Sequence, residues 1–198
     1  MDWLNIFKSK KDYPQFWMNY LQEFKSKKSD VFVAFDCETT GLDPKQDKIL
    51  SIGAVKFTGE RIFINESKEW FVKQSFNVDE SVKIHGILPA NSSRASLSED
   101  EAVKAFLKFI GNATLIGHHV NFDISMVNQA LKRLGAGKLK NKQKDTNRLY
   151  KDKGHFANEQ NFSLDDLCEK YKIKASNRHT ALGDAYITAQ AFQRLINQ

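Results

Sequence analysis

The sequence predicts a mixed α/β domain built on a five-stranded sheet, with a helical extension at the N-terminus. Three observations carry this reading. After residue 30 the chain turns strand-first, with a continuous apolar run at Val31–Phe35. Two β-rich stretches follow, and from residue 98 helical periodicities alternate with short strand-like runs. Early antiparallel strands followed by alternating helices and strands pack as helices against a mixed sheet.

The elements follow in chain order. Pro14 suits the first helical position, and Phe16, Tyr20, Leu21 and Phe24 then recur at helical spacing. Residues 1–30 read as a helical extension, closed by the linker Lys25–Asp30, ahead of a main domain over 31–198. Trp3, Leu4, Ile6, Phe7 and Trp17 are a large apolar load for an extension, better explained by packing onto that domain than by solvent exposure, with docking to a partner as the alternative. Val31–Phe35 has the unbroken apolarity of a strand covered on both faces. Ile49–Phe57 and Arg61–Val72 are strands joined by the turn Thr58-Gly59-Glu60. Ser98-x-x-Glu101 is a capping box that opens a helix with Ala102, Phe106 and Phe109 on its buried stripe. Ala113–Gly117 predicts the fourth strand, Asn121–Leu134 a helix, and Lys142–Thr146 a short fifth strand. Helices are expected over Ser163–Tyr171 and Thr180–Ile196.

Composition narrows the function classes. Three prolines and ten glycines among 198 residues exclude a collagenous or Pro/Gly-rich disordered chain, and a 12% aromatic content is too high for disorder. No early apolar run approaches the length of a bilayer crossing, and Met-Asp-Trp-Leu-Asn lacks the basic start of a secretory signal, so no membrane association is expected. Cys37 and Cys168 by themselves make neither a disulfide scaffold nor a zinc site, and the simplest setting is a reducing cytoplasm. The net charge of +6 hints at a polyanionic partner. That excess is concentrated: residues 131–155 hold nine bases against Asp145 and Asp152. Lys138, Lys140, Lys142 and Lys144 read either as a solvated loop or as a patch for a phosphate backbone.

The informative feature is where acids interrupt apolar elements. Asp36 and Glu38 end the first strand, and alternation puts both on one face with Cys37 on the other. Adjacent carboxylates at the mouth of a buried strand call for a shared proton or a cation between them. Asp123 opens a helix just after the fourth strand. Asp184 sits among the small residues of Ala181-Leu182-Gly183-Asp184-Ala185, in the first turn of a helix capped by Thr180. Each of the two is also accounted for as an acid favoured by a helix dipole. His179 precedes Asp184 by five residues, so the two address one site only if His179 lies in the loop before the helix. Next to carboxylates a histidine is a candidate general base. Four acids and one histidine are the inventory of a two-metal phosphoryl-transfer site, where oxygen ligands suit two Mg²⁺ or Mn²⁺ ions about 4 Å apart.

These segments resemble a known family. Asp36-Cys37-Glu38-Thr39-Thr40-Gly41-Leu42 is similar to the first motif of the DEDD exonucleases, and Gly117-His118-His119-Val120-Asn121-Phe122-Asp123 to the second. His179-Thr180-Ala181-Leu182-Gly183-Asp184 has the His-x4-Asp spacing of the third motif in the DEDDh branch. The chain most resembles the proofreading exonuclease (epsilon) subunit or domain of bacterial DNA polymerase III, and Ile84-His85-Gly86-Ile87 and Asp145-Thr146-x-x-Leu149 are similar to recurrent segments of that group. The resemblance implies an RNase H-like fold and a metal-dependent 3′–5′ exonuclease that proofreads or trims DNA at a single-stranded 3′ end, with a DNA polymerase subunit as a possible partner. It implies that Asp36, Glu38 and Asp184 hold one ion, that Asp36 also holds the second, and that Asp123 acts peripherally. His179 would deprotonate the attacking water. Thr39, Thr40, Leu42, His118, Asn121 and Phe122 would contact the terminal nucleotide, with Leu42 as a wedge. One departure is His119, where the family more often has Asn. His85 is read as a packing residue, and His155 has no assigned role.

Other readings stay open. The same site serves RNA 3′-end processing or degradation of short oligoribonucleotides. Asp36-x-Glu38-x-Thr40 with Asp165-Asp166 approximates a haloacid dehalogenase-type phosphatase, in which Asp36 would be a covalent nucleophile. A non-catalytic nuclease-fold scaffold is the non-enzymatic alternative. Gln160–Leu164 is a poor clamp-binding peptide, because Ser163 and Leu164 serve a helix start.

Overall fold

A computed structural model describes residues 12–27, 29–73, 95–154, 156 and 160–197. Trp3, Leu4, Ile6, Phe7, His155 and the segment 84–87 with His85 lie outside the described residues. The element order is α1 (Gln15–Glu23), β1 (Phe32–Thr39), β2 (Ile49–Phe57), β3 (Ile62–Val72), β4 (Ser96–Leu97), α2 (Glu99–Ile110), β5 (Thr114–Gly117), α3 (Asn121–Arg133), β6 (Gln143–Asp145), α4 (Thr146–Gly154), α5 (Leu164–Tyr171) and α6 (Ala181–Ile196).

Among the described residues the sheet has six strands, not five, in the order β4-β3-β2-β1-β5-β6. The extra strand is the two-residue β4, parallel to the end of β3; two residues carry no periodicity for a sequence reading to find. The central pair is antiparallel, β1 on β2, while β5 and β6 run parallel to β1. A second unexpected element is α4, whose residues (TNRLYKDKG) are mostly polar and show no clear apolar stripe. β1 continues four residues beyond Phe35, so Asp36 and Glu38 lie inside the strand. Pro14 is the N-cap of α1, one position before the expected one; its ψ of 148° is extended rather than helical.

Strand alternation divides the interior into two faces. Val33, Phe35 and Cys37 pack with Ile52, Phe106 and Val127 under α2 and α3. Ala34 faces the opposite way, with Val55, Phe57 and Ile116 against Ala185, Ala189 and Phe192 of α6. Asp36 and Glu38 share the parity of Ala34 and therefore face α6. α1 belongs to the first face: Trp17 and Tyr20 are 1% and 3% exposed. The Tyr20 hydroxyl donates to Asn141 Oδ1 at 2.6 Å and accepts from the Lys140 amide at 2.8 Å, which ties α1 to the segment entering β6. The capping box on α2 is formed as expected, with Ser98 Oγ accepting from the Glu101 amide. Phe109 on that helix is only partly buried and lies under the Lys56 ammonium.

Candidate active site

The site is assembled where the first turn of α6 meets the middle of the sheet. Gly53 of β2 is paired with Asp36 on one side and Glu69 of β3 on the other. A side chain at Gly53 would collide with the backbone of Ala181 and Leu182. Its absence lets the helix start come down onto the sheet between two carboxylates and sets Asp184 beside β1. Thr180 caps α6, its hydroxyl accepting from the Gly183 amide at 3.2 Å, and the Asp184 amide donates to the Thr180 carbonyl at 2.9 Å. His179 lies before the cap, in the loop that its role requires, with φ at 60° and its side chain exposed.

Asp36, Glu38 and Asp184 each offer a carboxylate oxygen, all within 4.8 Å of one another, the one such group among the described residues. Glu38 and Asp184 are 6% and 7% exposed. Burial first, then the charges of Asp123, Asp184 and Glu38, raises the Asp36 carboxyl well above the usual range. Burial and the nearby Asp184 and Glu69 push Glu38 from 4.5 to about 7. Asp123 stands outside the trio: its Oδ1 accepts from the Cys37 amide at 2.9 Å, and burial pushes it up to about 7. One oxygen of Asp184 accepts from the Arg178 guanidinium and, at 3.3 Å, from the His179 amide. The other, Oδ1, is buried without a hydrogen-bond partner. Three mutually repelling carboxylates and an orphaned buried oxygen fit a divalent cation with hard oxygen ligands.

The remaining expected residues fall into three groups. Leu42 is 85% exposed at the tip of the turn that follows β1. The Thr39 and Thr40 hydroxyls are spent within that turn, on the Gly41 carbonyl and on Asp47. His118 is held internally through both ring nitrogens, Nε2 to the Phe162 carbonyl at 3.0 Å and Nδ1 to Thr146 Oγ1 at 2.9 Å. A carbonyl only accepts, so Nε2 carries the proton. Burial, then the charge of His119, lowers His118 to about 4 and keeps it neutral. Asn121 is exposed and Phe122 partly buried at the start of α3. His119 is exposed with φ at 57°; Asn and His are both enriched in that left-handed conformation, which makes the exchange between them compatible with the backbone.

Lys138, Lys140, Lys142 and Lys144 are exposed but are not gathered at the carboxylates. Lys144 is level with Ile116 and, through it, with Ala34, while Lys142 accepts from the Leu115 amide further back. Lys144 thus sits two residues behind the level of Asp36 and Lys142 further back, toward the start of the parallel strands. Sequence reading missed Arg178 and Glu69. Glu69 is in a strand whose outer face is polar, so nothing local distinguishes it. Arg178 adjoins His179, and that adjacency was the available signal. Asp166 is engaged in the capping box of α5, as partner of the Ser163 amide and hydroxyl, which leaves the Asp165-Asp166 pair without the role a phosphatase would give it.

The family model for Exonuclease (RNase T) matches residues 33–192. The chain is 34% identical over 168 residues to the PolC-type DNA polymerase III of Caldanaerobacter subterraneus subsp. tengcongensis, covering 84% of this chain but 12% of that protein. It is 34% identical over 178 residues to the DNA polymerase III subunit epsilon of Buchnera aphidicola subsp. Baizongia pistaciae, covering 84% of this chain and 71% of that one. The chain thus spans a small part of its PolC-type relatives. Among solved structures, E. coli exonuclease I in complex with a dT13 oligonucleotide superposes with a TM-score of 0.72 at 18% identity, over 84% of this chain and 41% of that one. That likeness is one of fold, and it matches the expected RNase H-like arrangement.

Proposed function

The chain belongs to the exonuclease family, and on that premise we propose that it is a divalent-metal-dependent 3′–5′ exonuclease releasing nucleoside monophosphates from DNA. The observation that carries the reading is the trio Asp36, Glu38 and Asp184 within 4.8 Å, with His179 in the loop that begins beside it.

Asp36, Glu38 and Asp184 would hold Mg²⁺ or Mn²⁺, with Asp123 placed one step back on the Cys37 amide. Two such ions, when bound there, would ease ionisation of the attacking water and offset the charge that develops on the leaving oxygen. His179 accepts the proton from that water on a ring nitrogen as its oxygen attacks phosphorus and the bond to the 3′ oxygen breaks. The turn after β1 would seat the last nucleotide, with the exposed Leu42 pressing on its base. His118 acts from behind, fixing the entry to α3 rather than touching the strand.

DNA is the favoured substrate because the relatives at 34% identity are DNA polymerase III proteins and the similar solved structure holds a DNA oligonucleotide. Those relatives also favour a polymerase partner in the cytoplasm. Among the described residues no helix is long and apolar enough to cross a membrane.

The test compares Mg²⁺- and Mn²⁺-dependent degradation of 3′- and 5′-labelled single-stranded DNA, mismatched duplex and single-stranded RNA. Mononucleotides released from the 3′ end, faster from DNA, are expected. Release from the 5′ end, or activity that survives D184N, would overturn the reading.

A further inference from the structure

Arg178 is a cation that the structure ties directly to the carboxylate trio, and it is tied elsewhere as well. Its Nε and Nη2 donate to the two carboxylate oxygens of Asp165 at 2.7 and 3.2 Å, a two-pronged pair. Its Nη1 donates to Oδ2 of Asp184. All three guanidinium nitrogens are therefore engaged, two on α5 and one on α6. The Arg178 side chain is 17% exposed, Asp184 11% and Asp165 61%. So the bridge runs from a solvent-facing anchor inward to a buried carboxylate.

The consequence falls on the other oxygen of Asp184. With Oδ2 held by Arg178 and by the His179 amide, rotation of the carboxylate is blocked and Oδ1 stays buried, without a partner. An aspartate in the first turn of a helix would otherwise turn toward the free amides there. Building on the metal reading above, we infer that Arg178 is a positioning residue: anchored by Asp165, it holds Asp184 so that Oδ1 is presented for cation binding.

Charge and geometry make opposite demands here, which makes the idea testable. A positive group on Asp184 repels an incoming cation, so as a mere counter-ion Arg178 would weaken metal binding. As a positioning group it strengthens it, because groups that orient a ligand are commonly worth about 10- to 100-fold in metal affinity. Lysine keeps the charge but lacks the planar fork that spans Asp165 and Asp184.

The experiment uses the full-length chain as wild type, D165N, D165E and R178K, and measures Mn²⁺ uptake directly by loss of the free-ion paramagnetic resonance signal. The Mg²⁺ concentration giving half-maximal nuclease rate and the thermal midpoint are recorded alongside. D165N and R178K are expected to bind Mn²⁺ about 10-fold more weakly, with D165E recovering part of the loss and the rate at saturating Mg²⁺ less affected than the half-saturation point. Asp165 is exposed, so D165N carries the test alone if R178K does not fold. Wild-type protein that takes up no Mn²⁺ would overturn the metal reading and this one with it. Wild-type uptake with unchanged or tighter binding in D165N and R178K would overturn only the role given to Arg178, even if both variants melt earlier.

Discussion

Gly53 stands directly opposite Asp36 in the β1–β2 ladder, in the space that the backbone of Ala181 and Leu182 enters. The most consequential position in the site thus bears no side chain. It lets a helix that starts 128 residues later deliver Asp184 to Asp36, and it predicts that G53A should damage chemistry and stability together. A methyl group there must push the first turn of α6 off the sheet, at a cost of about 1–3 kcal/mol. Denaturant unfolding of G53A beside its nuclease rate checks this. Full activity with wild-type stability would show that the helix start tolerates displacement.

The metal-free protein should lose stability as pH rises. Glu38 and Asp123 have carboxyls pushed up to about 7 in the fold, and Asp36 is raised too. Between the ordinary carboxylate range and neutrality the folded state holds protons that the unfolded chain has released. Stability contributed by those protons is present at low pH and lost as pH climbs toward 7. His118, kept neutral in the fold, opposes this because the unfolded chain protonates it at pH 5, and net of that term denaturation in EDTA at pH 5 and at pH 8 is expected to differ by on the order of 2 kcal/mol in favour of pH 5. Excess Mg²⁺ should reduce the gap. Greater stability at pH 8 in EDTA would contradict the electrostatic account of the trio.

His179 is exposed and outside the cluster of cation ligands, so its removal should separate chemistry from binding. H179A is expected to keep its thermal midpoint and its Mn²⁺ affinity while the single-turnover rate falls about 100-fold or more. A drop in metal affinity of similar size would recast His179 as a ligand.

Replacing Lys138, Lys140, Lys142 and Lys144 together by alanine should leave dinucleotide cleavage unchanged. Lys144 is level with Ala34, behind Asp36, and Lys142 lies further back, so a substrate confined to the carboxylates is expected to sit ahead of them. Longer single strands are expected to bind more weakly and with a shallower salt dependence. Salt titrations on oligonucleotides of increasing length supply the measurement, and an unchanged slope at every length would leave the lysines as solvated surface.

Removing the Tyr20 hydroxyl should destabilise the fold without touching catalysis. Y20F loses the bonds to Asn141 and to the Lys140 amide, a cost of about 1–2 kcal/mol. A wild-type unfolding midpoint would show that α1 rests on the domain through apolar contacts alone.

Much of this protein was determined by local sequence. The apolar run into Asp36-Cys37-Glu38 sets two acids on one strand face, because side chains alternate. The capping box at Ser98 and the Thr180 cap place two helix starts within a residue, and the second forces His179 into the loop. What the tertiary structure decided depends on distance across the sheet, which no window of sequence contains. The two-residue β4 and the polar α4 carry too little pattern to be read, so the sheet has one strand more than expected. Arg178 gains its partners from α5 and α6, brought together only when both pack. The lysine run shows the same limit: the sequence leaves its height relative to the acids open, and pairing across the sheet, not adjacency in the chain, sets Lys144 level with Ala34 and Lys142 further back.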